Sequence, residues 1–251
     1  MSHPLVARLR EGDAAARRAT CAAIPDDAAA VLLIEPLGNT LADPDPAVRR
    51  AAGDALVRIG REAREVDALL LRVLRGDEPA SRFEAARALA ELAPPSPKLV
   101  PVLVEALASP RRETAWEAAR LLVDAGRLHP EVTPIVIGLV RAAPSPAARA
   151  MAVACLRELA PEHPGAEPAL LEASRDAHAS LRRAAFTALP AVTTHLPPGA
   201  ASAARCREAA GGDADPAVRR LAARALEIIG QRHGPDASTG NSLPGARERR
   251  S

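Results

Sequence analysis

The stretch LADPDPAVRRAAGDALVRIG, residues 41–60, decides the fold, because it recurs near the other end of the chain. Residues 212–230 read GDADPAVRRLAARALEIIG, and weaker copies lie between the two. The arginine that follows Pro-Ala-Val serves as the reference position of each copy. It recurs every 32 to 37 residues, at Arg17, Arg49, Arg82, Arg149, Arg182 and Arg219, with Ala115 once in its place. A period in this range is typical of repeat solenoids.

Each copy has the pattern of an amphipathic helix. A large aliphatic residue stands seven positions after the reference, and a small residue such as Ala52 or Ala222 stands three positions after it. Offsets of three, six, seven and ten follow one face of a helix with about 3.6 residues per turn. Aspartate before proline, as in Asp45-Pro46, supplies an N-cap and a first-turn proline. A looser apolar segment precedes each of these helices, so the sequence predicts seven helix pairs that share a core.

The pattern D-P-x-x-x-V-R-x-x-A-x-x-A-L resembles the HEAT repeat, in the bacterial form also seen in phycobilisome-lyase-like proteins. The resemblance is strongest at residues 43–60 and 213–230 and covers roughly residues 3–230. It implies an all-α fold, a right-handed α-solenoid of about seven HEAT-like helix pairs. HEAT-like repeats mostly serve as binding platforms, so the resemblance implies binding rather than chemistry. Residues 231–251 are polar and rich in Gly, Pro, Ser and Arg, which predicts a flexible C-terminal tail.

Two further features of the repeats lead to structural predictions. In HEAT-like repeats the reference arginine usually meets an acid from a neighbouring turn, and we therefore interpret these arginines as structural. Acids stand four residues before the reference at Asp13, Asp45, Glu78 and Asp215. The interval between Arg182 and Arg219 is longer by about four residues, which predicts a loop at residues 190–199.

Composition and motifs disfavour an enzyme or a membrane protein. The formal charge is only +2, and the bias toward Arg and Ala indicates a GC-rich genome rather than selection for phosphate binding. The sequence contains no zinc-binding His-Glu-x-x-His, no nucleotide-binding glycine loop and no Gly-x-Ser-x-Gly, so we expect no catalysis, no metal and no cofactor. The odd number of cysteines, three, favours small buried residues over disulfides. Without a signal peptide or a long apolar run, we expect a cytoplasmic protein.

The candidate binding residues lie opposite the core face. A step of about 100° per residue places offsets one, five and eight outward, and in HEAT-like stacks the second helix of each pair lines the concave surface. The sequence therefore predicts an Arg-rich concave strip on which Phe83 and Trp116 lie side by side. The predicted partner-binding residues are Arg50, Phe83, Arg87, Trp116, Arg120, Arg183, Arg220 and Arg224.

Three interpretations of this strip stay open: a solvated face, a groove for an acidic or mixed-charge protein segment, and a track for phosphates. The phosphate interpretation has a relative, the HEAT-like alkylpurine DNA glycosylases, which hold DNA on an Arg-rich concave face that carries Trp. Their catalysis needs a carboxylate one turn after a concave Trp, where this chain has Arg120. Glycosidic cleavage then lacks its main support. We expect a non-catalytic scaffold for a protein partner, with nucleic-acid binding as the alternative and no small-molecule substrate.

Overall fold

The computed structural model describes residues 4–25, 28–159, 163–192 and 200–232, and within these ranges the chain is helical without β-strands. The helices are α1 (Pro4–Glu11), α2 (Ala14–Ala23), α3 (Ile34–Thr40), α4 (Pro46–Gly60), α5 (Glu65–Val73), α6 (Pro79–Leu92), α7 (Val100–Ala106), α8 (Arg112–Leu128), α9 (Val132–Ala142), α10 (Pro146–Leu159), α11 (Ala166–Ala173), α12 (Ala179–Val192), α13 (Ala200–Gly212) and α14 (Pro216–Arg232). Short 3₁₀ helices at Ala28–Leu33 and Pro97–Leu99 precede α3 and α7. Within the described ranges, consecutive helices form seven pairs, numbered here as repeats 1 to 7, as predicted.

The second helix of a repeat begins at an acidic N-cap in several repeats. The Asp45 carboxylate accepts hydrogen bonds from the backbone N–H groups of Ala47 and Val48 at 2.7 and 3.3 Å, and Pro46 opens α4. Glu78 caps α6 in the same way, and Asp215 accepts from two N–H groups at the start of α14. The acids four residues before the reference are therefore helix caps. They accept hydrogen bonds from free backbone N–H groups and place negative charge at the positive end of the helix dipole.

The contacts divide the chain into two compact units, residues 1–135 and 136–251, with the boundary inside α9. In unit 1 the second helices α2, α4 and α6 pack side by side, and α1, α3 and α5 form the other layer. The small residues three positions after the reference, among them Ala52, Ala85 and Ala118, are fully buried. They let neighbouring helices approach closely, while Leu56 and Leu122 fill the space between the layers.

Unit 2 repeats this arrangement. Helix α12 packs against both α10 and α14, and α11 and α13 cover them. Ala152, Ala185 and Ala222 are buried at the same register as in unit 1. Phe186 is buried, and the Arg205 guanidinium lies 5.5 Å from the centre of its ring. Such a contact adds a cation–π attraction to the apolar packing.

The prediction of a loop at residues 190–199 is wrong for residues 190–192. Residues 190–192 form the last turn of α12, where Pro190 and Val192 are buried, and this burial keeps the chain helical beyond the proline. Residues 193–199 lie outside the described residues, as do residues 233–251 of the predicted tail. The division into a solenoid at 3–230 and a tail at 231–251 stays a prediction. No helix in the described ranges is both long and apolar enough to cross a lipid bilayer.

Candidate functional site

Reference arginines join consecutive repeats through an acid that the sequence analysis did not single out. The Nε and Nη2 groups of Arg17 donate to the carboxylate of Asp43 at 2.6 and 2.9 Å. Arg182 donates to Asp213 at 2.9 and 2.8 Å. Each of these aspartates stands six residues before the reference of the next repeat. We call this arginine–aspartate pair the inter-repeat clamp, and it confirms a structural role for Arg17 and Arg182.

The clamp also organises the turn in which its acid lies. The Asp43 carboxylate accepts from the N–H of Asp45 at 2.9 Å, and Asp213 does the same for Asp215. In repeat 6, Asp176 accepts from Arg149 at 2.6 Å and from the N–H of His178 at 2.8 Å. The His178 N–H and the Arg149 guanidinium lower the pKa of Asp176 to about 2. The sequence contains a signal for these pairs, because Asp43, Asp176 and Asp213 each stand six residues before a reference arginine.

Unit 1 carries a second network, formed by Arg50, Asp54, Glu84, Arg87, Glu91 and Glu117. Arg50 of α4 binds both carboxylate oxygens of Glu117 in α8, with a distance of 2.9 Å from Nη1 to Oε1. Its Nε lies 3.4 Å from Glu84 in α6. We call these residues the ion-pair network, and it ties α4, α6 and α8 together.

Arg87 is the centre of the ion-pair network. Its guanidinium donates to Glu84, Glu91 and Asp54 at 2.9, 2.9 and 2.7 Å. A Cβ atom on Gly53 would lie 2.6 Å from Nη2 of Arg87, so glycine leaves the room that the guanidinium occupies. Arg87 is therefore held by three carboxylates and is 5% exposed.

The predicted Arg-rich strip is, in unit 1, a surface of mixed charge. The ion-pair network contains two arginines and four carboxylates, and the side chains of Asp54 and Glu91 are about half exposed. Burial alone would raise the pKa of Glu117, but its hydrogen bonds from Arg50 outweigh this effect and the pKa lies below its ordinary value. Both Glu117 and its arginine partner are thus charged at neutral pH.

The predicted site residues of unit 1 differ in their exposure to solvent. Trp116 is 50% exposed and Arg120 is also exposed, where it pairs with Asp124 at 3.3 Å. The predicted outward exposure of Phe83 and Arg87 is wrong, since they are 4% and 5% exposed. A 100° step treats the helix as isolated. It omits the side chains of neighbouring helices, which cover these two residues.

The predicted residues of unit 2 are all exposed. Arg183 pairs with Asp215, and this pair, together with the Val218 N–H, lowers the pKa of Asp215 to about 2. Arg220 and Arg224 lie one turn apart on α14 and make no ion pair with a described residue. Unit 2 therefore presents cationic groups that lack a carboxylate partner, in contrast to the ion-pair network of unit 1.

No group of three or more His, Cys, Asp or Glu residues suited to a metal ion occurs in the described parts of the chain. Cys21, Cys155 and Cys206 are buried, as predicted. Burial raises the pKa of Cys155 to about 12 and that of the other two to about 11, so these thiols stay protonated at neutral pH.

The repeat geometry agrees with the sequence comparisons. The family model for HEAT repeats matches residues 2–90 and 66–157, more than half of the chain. The chain belongs to the HEAT repeat family. No curated protein matches it. The predicted fold class, an all-α solenoid of stacked HEAT-like helix pairs, is thereby confirmed.

Solved structures that align with this chain include an archaeal protein and two engineered proteins. An archaeal HEAT-like repeat protein from Thermococcus onnurineus NA1 is 14% identical, with 87% of this chain and 97% of that protein covered and a TM-score of 0.50. Two engineered proteins are each 22% identical, with TM-scores of 0.46 and 0.34. The matches cover 90% and 91% of this HEAT repeat chain and 67% and 96% of the engineered chains. The archaeal likeness shows the fold alone.

Proposed function

We propose that this HEAT repeat protein is a non-catalytic scaffold that binds a protein partner on the outward face of its second helices. Trp116 carries the proposal, because half of its side chain is exposed on α8. Tryptophan is enriched among the few residues that supply most of the binding energy at protein interfaces. The membership of the HEAT repeat family supports a binding role in general terms.

The charges of the two units suit an acidic or mixed-charge partner segment. In unit 1, Arg50 and Arg87 already bind carboxylates of the protein itself. Trp116 would therefore supply most of the binding energy, and the charged groups of the ion-pair network would orient the partner segment. In unit 2, Arg220 and Arg224 keep their guanidinium groups available for acidic side chains. Complementary charge of this kind mainly increases association rate and specificity.

Nucleic-acid binding is the alternative, and unit 1 offers it less support. A phosphate at Arg87 would have to displace three carboxylates, and the exposed acids Asp54 and Glu91 would repel it. Glycosylase chemistry has no support near Trp116. Arg120 stands one turn after it, and the neighbouring Glu117 is held by Arg50.

The test is capture of binding proteins from native lysate, followed by mass spectrometry, with wild type and Trp116→Ala in parallel. Leu128→Ala is the matched control, because Leu128 is exposed to a similar extent on the same helix. We expect Trp116→Ala to lose a protein that wild type and Leu128→Ala both retain. Equal capture by all three proteins would remove Trp116 from the interface.

A second comparison tests the charges of unit 2. The double variant Arg220→Glu/Arg224→Glu should weaken capture of the same protein, whereas Arg61→Glu/Arg64→Glu, with an equal change of charge at exposed positions, should not. Elution from heparin resin separates the two functions. Retention of wild type that depends strongly on salt, and on Arg220 and Arg224, would favour the phosphate interpretation.

A further inference from the structure

An apolar pocket opens in unit 1 between repeats 3 and 4. It has a volume of about 450 Å³ and is lined by the first turn of α6, by the end of α7 and by the turn before α8. Its apolar surface comes from Pro79, Phe83, Val102, Ala106 and Pro110. The buried ring of Phe83 thus forms part of a pocket wall. Trp116 does not line this pocket.

The pocket lies where the inter-repeat clamp is absent. The residue six positions before the reference of repeat 4 is Ser109 rather than an aspartate, and its hydroxyl accepts from the N–H of Arg111 at 3.2 Å. Arg82, the arginine that would complete the clamp, instead pairs with Glu105. Between repeats 6 and 7, where the clamp is intact, the corresponding pocket is lined by charged residues such as Arg182 and Asp213.

The acids around the pocket already have partners. Glu78 accepts from the N–H of Ser81 at 2.6 Å and also from its hydroxyl at 2.9 Å. Glu84 accepts from Arg87, and Glu105 accepts from Arg82. These carboxylates therefore have little capacity for a basic ligand.

The donors around the pocket are less well satisfied. Arg49 lines the pocket, and its buried Nε has no acceptor among the described residues. The residue six positions before the next reference is Gly76, so Arg49 has no clamp partner and donates only to the carbonyl oxygens of Asp43 and Pro44. Arg111 is exposed at the rim and makes no ion pair with a described residue. The unpaired charge at this pocket is thus positive.

We propose that this pocket is a second binding site, which takes an apolar side chain that lies next to a carboxylate in an extended segment of a partner protein. The apolar group would lie against Phe83, Val102 and Ala106, and the carboxylate would meet Arg111 and Arg49. The volume suits two or three residues of a peptide, since ligand pockets begin at about 300 Å³. The site is separate from Trp116, so either one can fail without the other.

The first test measures binding of fluorescein-labelled peptides of eight residues by fluorescence anisotropy. One set carries a single leucine or phenylalanine flanked by glutamates, and matched sets carry glutamine or lysine in place of glutamate. We expect the glutamate peptides to bind at least tenfold more tightly than the lysine peptides, with the glutamine peptides between them. No binding by any set, or equal binding by glutamate and lysine sets, would overturn the proposal.

The second test fills the pocket. Ala80 is partly exposed in the pocket wall, and Ala80→Leu adds apolar volume there. Ala47→Leu is the matched control, because Ala47 occupies the same register of repeat 2 and is exposed. We expect Ala80→Leu to weaken the glutamate peptide at least tenfold and Ala47→Leu to leave it unchanged. An Ala80→Leu protein that keeps its helical signal and still binds normally would contradict the assignment of the site.

The third test removes a charge at the rim and leaves the apolar residues of the pocket unchanged, so it stays informative if Ala80→Leu fails to fold. Arg111→Gln should weaken the glutamate peptide several-fold and leave the glutamine peptide unchanged. Arg112→Gln, an exposed neighbour that does not line the pocket, should change neither. Equal losses in the two arginine variants would point to long-range charge attraction and would sink the proposed carboxylate contact.

Discussion

At the scale of single residues, the two aromatic positions of the predicted strip behave in opposite ways. Trp116 keeps half of its surface in solvent, whereas Phe83, at the same offset one repeat earlier, is buried in a pocket wall. Single exposed apolar side chains are common in folded proteins. Trp116 is distinguished by its size and by the exposed Arg120 one turn later on the same helix, which make it the candidate anchor.

The exposure of Trp116 predicts its fluorescence. As the single Trp of the chain, it should emit at a red-shifted wavelength and be quenched readily by acrylamide in the free protein. Because half of its surface is already in solvent, Trp116→Ala should lower the free energy of unfolding by about 1–2 kcal/mol, less than the loss of about 3–5 kcal/mol that is typical of a fully buried aromatic residue. Blue emission that acrylamide does not quench, or a variant that fails to fold, would show Trp116 to be a core residue.

Arg87 is a buried charge whose removal should be costly. Arg87→Met leaves Glu84 buried with only the 3.4 Å contact to Arg50, so we expect a loss of about 3 kcal/mol in urea unfolding. The exposed Arg120→Met should change stability by less than about 1 kcal/mol. Adding Glu84→Gln to Arg87→Met should recover part of the loss, since it removes the stranded charge. Equal stability of the two single variants would contradict a structural role for the ion-pair network.

At the scale of elements, the inter-repeat clamp joins the start of one second helix to the turn before the next. Arg182 of α12 reaches Asp213 before α14, and both side chains are largely buried. The same arginine donates to the carbonyl oxygens of Asp176 and Ala177 in its own turn. One guanidinium therefore fixes the entry turns of two neighbouring helices.

A double-mutant cycle measures what the clamp contributes. Arg182→Ala, Asp213→Ala and the double variant should give a coupling energy of about 1–2 kcal/mol in urea unfolding, because the pair is bidentate and shielded from solvent. The equivalent cycle on the exposed pair of Arg72 and Glu35 should give no measurable coupling. Additive effects at Arg182 and Asp213 would show that the two repeats are held together by apolar packing alone.

At the scale of the whole molecule, the formal charge of +2 is small because acidic and basic residues are nearly equal in number, and many of them form ion pairs. Both units contain aspartates whose pKa is lowered in the folded state. In Asp43, burial opposes this shift, but the hydrogen bonds from Arg17 and the Asp45 N–H prevail. In Asp213, the hydrogen bonds from Arg182 are the main cause. The ionised form of these carboxylates therefore stabilises the folded protein.

This stabilisation predicts acid lability. A carboxyl whose folded pKa lies below its unfolded value of about 4 stabilises the protein above pH 4 and loses that contribution as the pH falls. With pKa values of about 2 for Asp176 and Asp215, most of the loss should occur between pH 4 and pH 2. Thermal melts across this range should show a steep fall in Tm.

Substitution of one such acid provides the control. Asp176→Asn should be less stable than wild type at pH 7, and the difference should shrink as the pH falls from 4 to 2, because Asp176 becomes protonated over this range. A stability difference between the two proteins that is the same at every pH would mean that Asp176 contributes through its hydrogen bonds and not through its negative charge.

The sequence by itself determined the repeat, and with it the fold. Helix periodicity and small residues at a constant register are local properties, and the alanines three positions after the reference are buried in both units as predicted. The caps at Asp45 and Asp215 follow from the same local rules. A repeat needs only its nearest neighbours to bury its apolar face, so a one-dimensional pattern suffices.

Only the tertiary structure decided which surface residues are available for binding. Arg50 reaches Glu117 across 67 residues of sequence, and Arg87 is covered by acids from two helices. The apolar pocket lies between repeats 3 and 4, where Arg82 pairs with Glu105 and makes no clamp. The partners of Arg50 and Arg87 depend on distances in space between long side chains of different helices, which the period of the repeat does not give.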